Sequence, residues 1–181
     1  MQKSLGNVQN KLAKESIFTA LMILMEEKDY KEISISELTK KAGVSRMAYY
    51  RNYNSKDDII VQYLDELFTE YYQSIVQEKQ MTLFEQTRLF FSYFRNHAKL
   101  IQNLIRADIT YLILDRFDQY LSNLFQSIIS YPDVSPEMRR YRIEYFSGGL
   151  YKILIEWVKS GLKESDEEMA DIVVRLIGSR E

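Results

Sequence analysis

Cysteine, proline and glycine are scarce in this sequence. Its 181 residues include no cysteine, two prolines and six glycines. Without cysteine, disulfide frameworks and thiolate metal sites are excluded, which fits a reducing compartment. Leucine, isoleucine, glutamate, lysine and arginine are plentiful, and this composition favours helices. We therefore expect a helical protein without disulfide bonds.

Long apolar runs are also missing. No run approaches the ~18 residues that a membrane span requires. The start of the chain, MQKSLGNVQNK, lacks the apolar stretch of a signal peptide. Apolar types make up 46% of the residues and charged types 28%, which is the balance of a soluble globular protein. We therefore expect a cytoplasmic protein with no membrane partner.

Side chains that carry chemistry are few as well. One histidine, His97, without cysteine is poor material for a metal site, and a capping or surface role suits it better. The acidic cluster of Glu164, Asp166, Glu167 and Glu168 falls at the start of a predicted helix, where negative charge favours the helix dipole. No glycine-rich phosphate loop or nucleophile elbow is present. We expect no enzymatic activity, no metal and no cofactor.

Apolar spacing and capping residues predict about nine helices and no strand. The first is expected to begin after Asn10, whose side chain suits an N-cap. The predicted ranges are 11–28, 35–42, 46–52, 56–77, 83–96, 99–106, 110–129, 137–160 and 166–177.

Two of these helices are short and meet at a tight turn. Ser34 offers an N-cap for helix two, with Glu37 three positions later in the capping-box arrangement. Gly43 suits the left-handed conformation that ends this helix, and Ser45 can cap helix three. A short third helix, held by its neighbours so that one face stays open, is what a helix-turn-helix module places in the DNA major groove.

The stretch ISISELTKKAGVSRMAYYRNYNSKDDII, residues 33–60, resembles the N-terminal module of the TetR family of bacterial regulators. The matching positions are Ser34, Ile35, Leu38, Ala42, Gly43, Val44, Ser45, Tyr50, Tyr53, Ser55 and Lys56, followed by Asp57, Asp58, Ile59 and Ile60. This resemblance implies an all-α fold: a three-helix helix-turn-helix DNA-binding domain at 1–55, joined through helix four to a helical ligand-binding and dimerisation bundle at 56–181. It also implies a ligand-responsive regulator, a repressor that a small effector releases from DNA. A homodimer would bind a palindromic operator with its recognition helices about 34–36 Å apart, or a multiple of that spacing.

The spacing of helix three divides its side chains between two faces. Val44, Tyr53 and either Ala48 or Tyr49 are predicted to pack inward. Arg46 can donate forked hydrogen bonds to guanine, and Met47 can contact a thymine methyl. The predicted phosphate contacts are Ser34, Ser45, Tyr50 and Lys56, whereas Ser36, Arg51 and Asn52 could take either role.

Two positions depart from the family pattern. Position 47 often holds glycine or another small residue in the family and is Met47 here, and position 52, commonly tyrosine or histidine, is Asn52. Both changes are predicted to face the DNA and to indicate a different operator. They also leave open a co-regulator that keeps the fold and acts through a protein partner. A third alternative, a helical ligand carrier or enzyme, predicts a bound molecule without DNA affinity.

Aromatic residues are dense after residue 80, and a helical core explains most of them. By resemblance to the family, this bundle binds a small effector of unknown identity. The predicted pocket residues are Phe90, Phe94, Leu104, Tyr111, Phe117 and Tyr145.

Residues 145–173 resemble the C-terminal region of a TetR subgroup found mainly in low-GC Gram-positive bacteria. Gly148 and Gly149 cost about 1 kcal/mol each relative to alanine inside a helix, so close packing against another helix is predicted. Helices eight and nine are expected to form a four-helix dimer interface. The predicted interface residues are Phe146, Leu150, Ile153, Leu154, Trp157, Met169, Ile172, Val173 and Leu176.

Overall fold

The computed structural model describes residues 2–77, 81–127 and 135–177, with side chains at 8–75, 81–122 and 135–177. These ranges contain nine α-helices, one short 3-10 turn at Tyr30–Glu32 and no strand. The helices are α1 (Gln2–Glu27), α2 (Ile35–Ala42), α3 (Arg46–Tyr50), α4 (Lys56–Gln77), α5 (Leu83–Asn96), α6 (Ala98–Arg106), α7 (Tyr111–Ser127), α8 (Pro136–Lys159) and α9 (Asp166–Ile177). The predicted all-α fold is confirmed. No described helix is long and apolar enough to cross a membrane.

The first helix begins earlier than predicted. It starts at Gln2, so Asn10 lies inside it, and the N-cap prediction for this residue was wrong. The Asn10 side chain instead accepts a hydrogen bond from Asn52 at 2.9 Å. A contact between residues so far apart in sequence leaves no trace in local helix periodicity.

The N-terminal helices pack around α1. The α1 side chains Ile17, Leu21 and Leu24 are buried, and α2, α3 and α4 all contact this helix. Helix α4 belongs to both halves of the molecule, because Ile60 is buried near its start and Tyr71 is buried within the aromatic core further along. The predicted division at residues 55 and 56 falls at the start of this shared helix.

Helix α6 fixes the C-terminal end of α1 to the bundle. Asn103 is buried, and its side-chain amide donates to the Met22 carbonyl at 3.1 Å. The Arg106 guanidinium donates to the Met25 carbonyl at 3.1 Å. Since the last four carbonyls of a helix have no amide partner within it, the bond from Arg106 to Met25 acts as a cap supplied by another helix, and Asn103 adds a second link to α1.

In the bundle, α9 packs along α5, and α7 packs along α8. Arg95 of α5 joins three elements: its guanidinium lies 4.7 Å from the Trp157 ring centre, contacts Asp166 Oδ1 at 2.8 Å, and donates to the Glu164 carbonyl at 2.6 Å. His97 lies at the α5–α6 junction, with Nδ1 2.9 Å from the Tyr93 carbonyl. Part of the acidic cluster thus pairs with an arginine in addition to lying at a helix start.

The two α8 glycines face open space among the described residues. A Cβ atom added at Gly148 or Gly149 would meet nothing within 4 Å among the described atoms. No described part of the chain therefore makes the predicted close packing at these two glycines.

Candidate nucleic-acid interface

Serine caps define the start of α2 and of α3, as the sequence predicted. Ser34 Oγ accepts from the Glu37 amide at 3.2 Å, and Ser45 Oγ accepts from the Ala48 amide at 3.1 Å. Between the two helices, Gly43 has φ 67°, a left-handed conformation that glycine adopts without strain. Glu37 does not make the reciprocal half of the capping box. Its carboxylate pairs instead with Lys28, the residue after α1, and this pairing lowers the pKa of Glu37.

Helix α3 presents one face to solvent and buries the other. Tyr49 is fully buried and Tyr53, just after the helix, is buried beside it, with ring centres 5.7 Å apart. On the open face, Met47 is 74% exposed and Tyr50 is 51% exposed, and the Arg46 guanidinium lies 6.0 Å from the Tyr50 ring centre. The inward and outward division derived from spacing therefore matches the packing.

Burial disfavours ionisation of the two anchoring tyrosines. It raises the pKa of Tyr49 to about 12 and likewise that of Tyr53 to about 12. The Tyr49 hydroxyl is buried and has no hydrogen-bond partner among the described residues. These two buried rings pack α3 against the rest of the module.

Asn52 is bound within the module. Its side-chain amide donates to Asn10 Oδ1 of α1 and to the Ala48 carbonyl of α3, both at 2.9 Å. Its backbone carbonyl accepts from Gln62 Nε2 of α4 at 3.0 Å. Asn52 thus ties the end of α3 to two neighbouring helices, and its amide hydrogens are already used by protein acceptors.

Lys56 also has internal partners. Its ammonium nitrogen donates to the carbonyls of Tyr30 at 2.5 Å and Ile33 at 2.7 Å, and lies 4.5 Å from the Tyr30 ring centre. The pKa of Lys56 is lowered because burial penalises its charged form. An ammonium has three donors, so one N–H is left for the predicted phosphate contact.

A network around Asp57 was not predicted. Tyr30 of the 3-10 turn donates its hydroxyl to Asp57 Oδ1 at 2.5 Å, and Tyr111 at the start of α7 donates to Asp57 Oδ2 at 3.4 Å. Burial, with a further contribution from the bond to Asp57, raises the pKa of Tyr30. Tyr30 sits in a segment without helical periodicity, and the sequence offered no sign that it meets Asp57.

The start of α4 carries a reciprocal cap. Ser55 Oγ accepts from the Asp58 amide at 3.1 Å, and the Asp58 carboxylate accepts from the backbone amide of Asn54 at 2.8 Å and that of Ser55 at 3.2 Å. These bonds, led by the one from Asn54, lower the pKa of Asp58. They fix the angle at which the chain leaves α3 and enters α4.

The remaining predicted DNA contacts lie at the surface. Ser36 of α2 and Arg51 after α3 are exposed, as are the caps Ser34 and Ser45. A cap hydroxyl that accepts from the backbone still has its own O–H to donate to a phosphate. All four positions are thus open to solvent.

The predicted effector residues divide into two groups. Phe90, Phe94, Leu104 and Phe117 are buried, and the three rings pack together with centres 4.7–6.0 Å apart. Tyr111 and Tyr145 lie elsewhere, on the exposed surface of α7 and α8. The structure therefore does not bring the six residues to one site, because the two tyrosines occupy outward positions of their helices.

The predicted dimer residues also divide. Leu154, Trp157, Met169 and Val173 are buried inside this chain, so they are core residues and not surface residues. Their spacing predicts a dimer interface equally well, because an apolar helical stripe looks the same whether its own chain or a second chain covers it. The exposed or half-exposed members of the set are Phe146, Leu150, Ile153, Ile172 and Leu176.

Together, the fold and the open face of α3 define a helix-turn-helix DNA-binding module carried on a helical bundle. A family model described as "Bacterial regulatory proteins, tetR family" matches residues 17–63. A second, described as "Transcriptional regulator C-terminal region", matches residues 81–179, more than half of the chain. The chain belongs to the TetR family of bacterial transcriptional regulators, as the sequence motif predicted. Regulators of this family are not enzymes.

Individual proteins agree with this assignment. The chain is 24% identical over 132 residues to an HTH-type transcriptional regulator of Haemophilus influenzae, covering 73% of this chain and 64% of that one. The structure of Lin0861 from Listeria innocua superposes with a TM-score of 0.80 at 15% identity, over 94% of this chain and 91% of that chain. A TetR transcriptional regulator from Streptococcus agalactiae gives a TM-score of 0.67 at 20% identity, over 97% and 98%. At these identities the structural matches show a shared fold.

Proposed function

We propose that this protein is a ligand-responsive, sequence-specific DNA-binding regulator that acts as a homodimer and represses until a small effector releases it. The observation that carries this proposal is the geometry of α3. The helix is anchored by buried Tyr49 and Tyr53 and leaves Arg46, Met47 and Tyr50 open to solvent. A short anchored helix with one open face suits insertion into the major groove.

Each open side chain has a DNA role that its chemistry supports. Arg46 can donate two parallel hydrogen bonds to guanine, and Met47 can pack on a thymine methyl. Tyr50 can donate its hydroxyl to a phosphate. Arg51 and the exposed serines Ser34 and Ser45 can add contacts to the phosphate backbone of the DNA.

The homodimer is supported by apolar side chains that the chain itself leaves open. On α8, Tyr141 and Tyr145 are exposed, and on α9, Ile172 and Leu176 are exposed. The open backbone at Gly148 and Gly149 would let a second helix approach closely. Exposed apolar surface of this kind is typical of an interaction site.

A dimer test follows from these residues. Light scattering coupled to size exclusion should give twice the chain mass, and Leu176→Glu combined with Ile172→Glu should shift it toward one chain mass. A wild-type protein with the mass of one chain would remove the dimer from the proposal. Lys159→Glu, at an exposed charged position of α8, is the matched control.

The DNA role is tested by selection from a random duplex library with the purified protein. We expect enrichment of a two-fold symmetric sequence.

The alternative function is that of a co-regulator that docks to another protein. One observation favours it: Met47 is a large apolar side chain that is 74% exposed. Recovery of no enriched sequence would reject DNA recognition and favour that alternative.

A further inference from the structure

A cleft of about 320 Å³ lies between α4 and α7. Phe68, Tyr72 and Tyr120 form aromatic walls, with the Phe68 and Tyr120 ring centres 5.7 Å apart. Asp65, Thr69, Arg116 and Gln119 provide the polar lining. The volume lies at the lower end of the range for small-molecule sites, which combine apolar walls with a few polar groups.

Arg116 places a mostly buried positive charge in this cleft. Its side chain is only 17% exposed, and its Nε lies 3.0 Å from Asp65 Oδ1. Despite this distance, the buried Nε–H makes no hydrogen bond with any described residue, so the ion pair is poorly aligned. A guanidinium has five N–H donors, and leaving a buried charged donor unsatisfied is unfavourable.

Asp65 is a weak partner for this cation. Its side chain is 52% exposed, so water competes for the carboxylate and screens the pair. Within the described residues, the arginine has no second ion-pair partner. A carboxylate that entered the cleft could meet the guanidinium in the forked geometry that Asp65 does not provide.

We propose that the α4–α7 cleft binds a small organic carboxylate with an aromatic or short aliphatic body, and that Arg116 holds its carboxylate. The apolar body would rest on Phe68 and Tyr120. This inference names the ligand class for the effector role proposed above and rests on that proposed function for its regulatory meaning. Asp65 then competes with the ligand for Arg116.

The cleft is well placed to influence the DNA-binding module. Asp65 lies on α4, the helix whose first residues, Lys56 and Asp57, bind Tyr30 of the preceding turn. A ligand that replaces Asp65 at Arg116 changes the contact between α4 and α7. Because α4 is continuous from the cleft to Lys56, this helix connects the proposed ligand site to the base of the module.

The test uses calorimetric titration of the full chain, without DNA, with benzoate, phenylacetate and hexanoate. Benzamide, phenylacetamide and hexanamide are the matched neutral probes. We expect at least one carboxylate to bind and its amide to bind about tenfold or more weakly. Arg116→Gln should lower carboxylate affinity about tenfold to hundredfold, whereas Asp65→Asn should raise it several-fold because the competing charge is gone.

Arg175→Gln is the matched control, since Arg175 is an exposed arginine paired with Asp171 on α9. Circular dichroism of each variant shows whether it folds, and Asp65→Asn keeps the test decisive if Arg116→Gln does not. The proposal is overturned if no carboxylate binds, if amides bind equally well, or if Asp65→Asn weakens binding. Because no DNA is present, this result is independent of the duplex selection.

Discussion

The link between Asn10 and Asn52 predicts a measurable coupling between α1 and the end of α3. Asn52→Ala removes two side-chain hydrogen bonds, to Asn10 and to the Ala48 carbonyl, each 2.9 Å long. At about 0.5–1.5 kcal/mol for each bond, the free energy of unfolding should fall by about 1–3 kcal/mol. Asn10→Ala removes only the shared bond and should cost about 0.5–1.5 kcal/mol.

The double variant gives the sharper test. Because the bond between Asn10 and Asn52 is lost only once, the double variant should be about 0.5–1.5 kcal/mol more stable than the sum of the two single effects predicts. Urea unfolding followed by circular dichroism measures all four proteins. Asn96→Ala, at an exposed position of α5, is the matched control and should have little effect.

The same variants separate positioning from DNA contact. If Asn52 orients α3 through Asn10, both single variants should weaken binding to the selected duplex, and the double variant should add little to Asn52→Ala. Strictly additive stabilities, or an Asn52→Ala protein as stable as wild type, would refute this role for Asn52.

Three further predictions concern the module. Ser45→Ala should lower the free energy of unfolding by about 1 kcal/mol, because the α3 cap is lost, and an unchanged denaturation midpoint would contradict this. Tyr49→Phe should raise the melting temperature by a few degrees, because it removes a buried hydroxyl that has no hydrogen-bond partner. Tyr53→Phe is the control and should change the melting temperature little, because the Tyr53 hydroxyl is not a buried group without a partner. The pKa of Asp58 is lowered in the folded protein, so its carboxylate stabilises the fold fully at a pH above the pKa of an unfolded aspartate, about 3.9. This stabilisation is lost as the pH falls through the pKa of the folded state. The stability difference between wild type and Asp58→Ala should therefore shrink below about pH 4, and a difference that grows on acidification would reject this assignment.

Local rules were sufficient for α2, α3 and the turn between them. The caps at Ser34 and Ser45, the left-handed Gly43 and the buried faces at Tyr49 and Tyr53 depend on residues within a few positions of each other. Interactions over such short sequence distances can be predicted from the sequence alone.

Contacts between distant segments could not be derived in the same way. The bonds of Asn52 to Asn10 and of Tyr30 to Asp57 join residues 42 and 27 positions apart. Likewise, periodicity shows that Leu154 and Val173 lie on apolar faces, but not that the chain itself covers them. The α4–α7 cleft depends on how two helices pack, so Arg116 carried no sequence signal.

Whether the open face of α3 reads DNA is tested by the affinity of Arg46→Ala for the duplex enriched by selection and for its single-base variants. We expect loss of discrimination at one base pair in each half-site, worth about 1–3 kcal/mol, with binding to unrelated duplex reduced much less. Arg175→Ala, far along the chain on α9, should bind as wild type. An Arg46→Ala protein that keeps wild-type affinity and wild-type base preference would show that Arg46 does not read DNA.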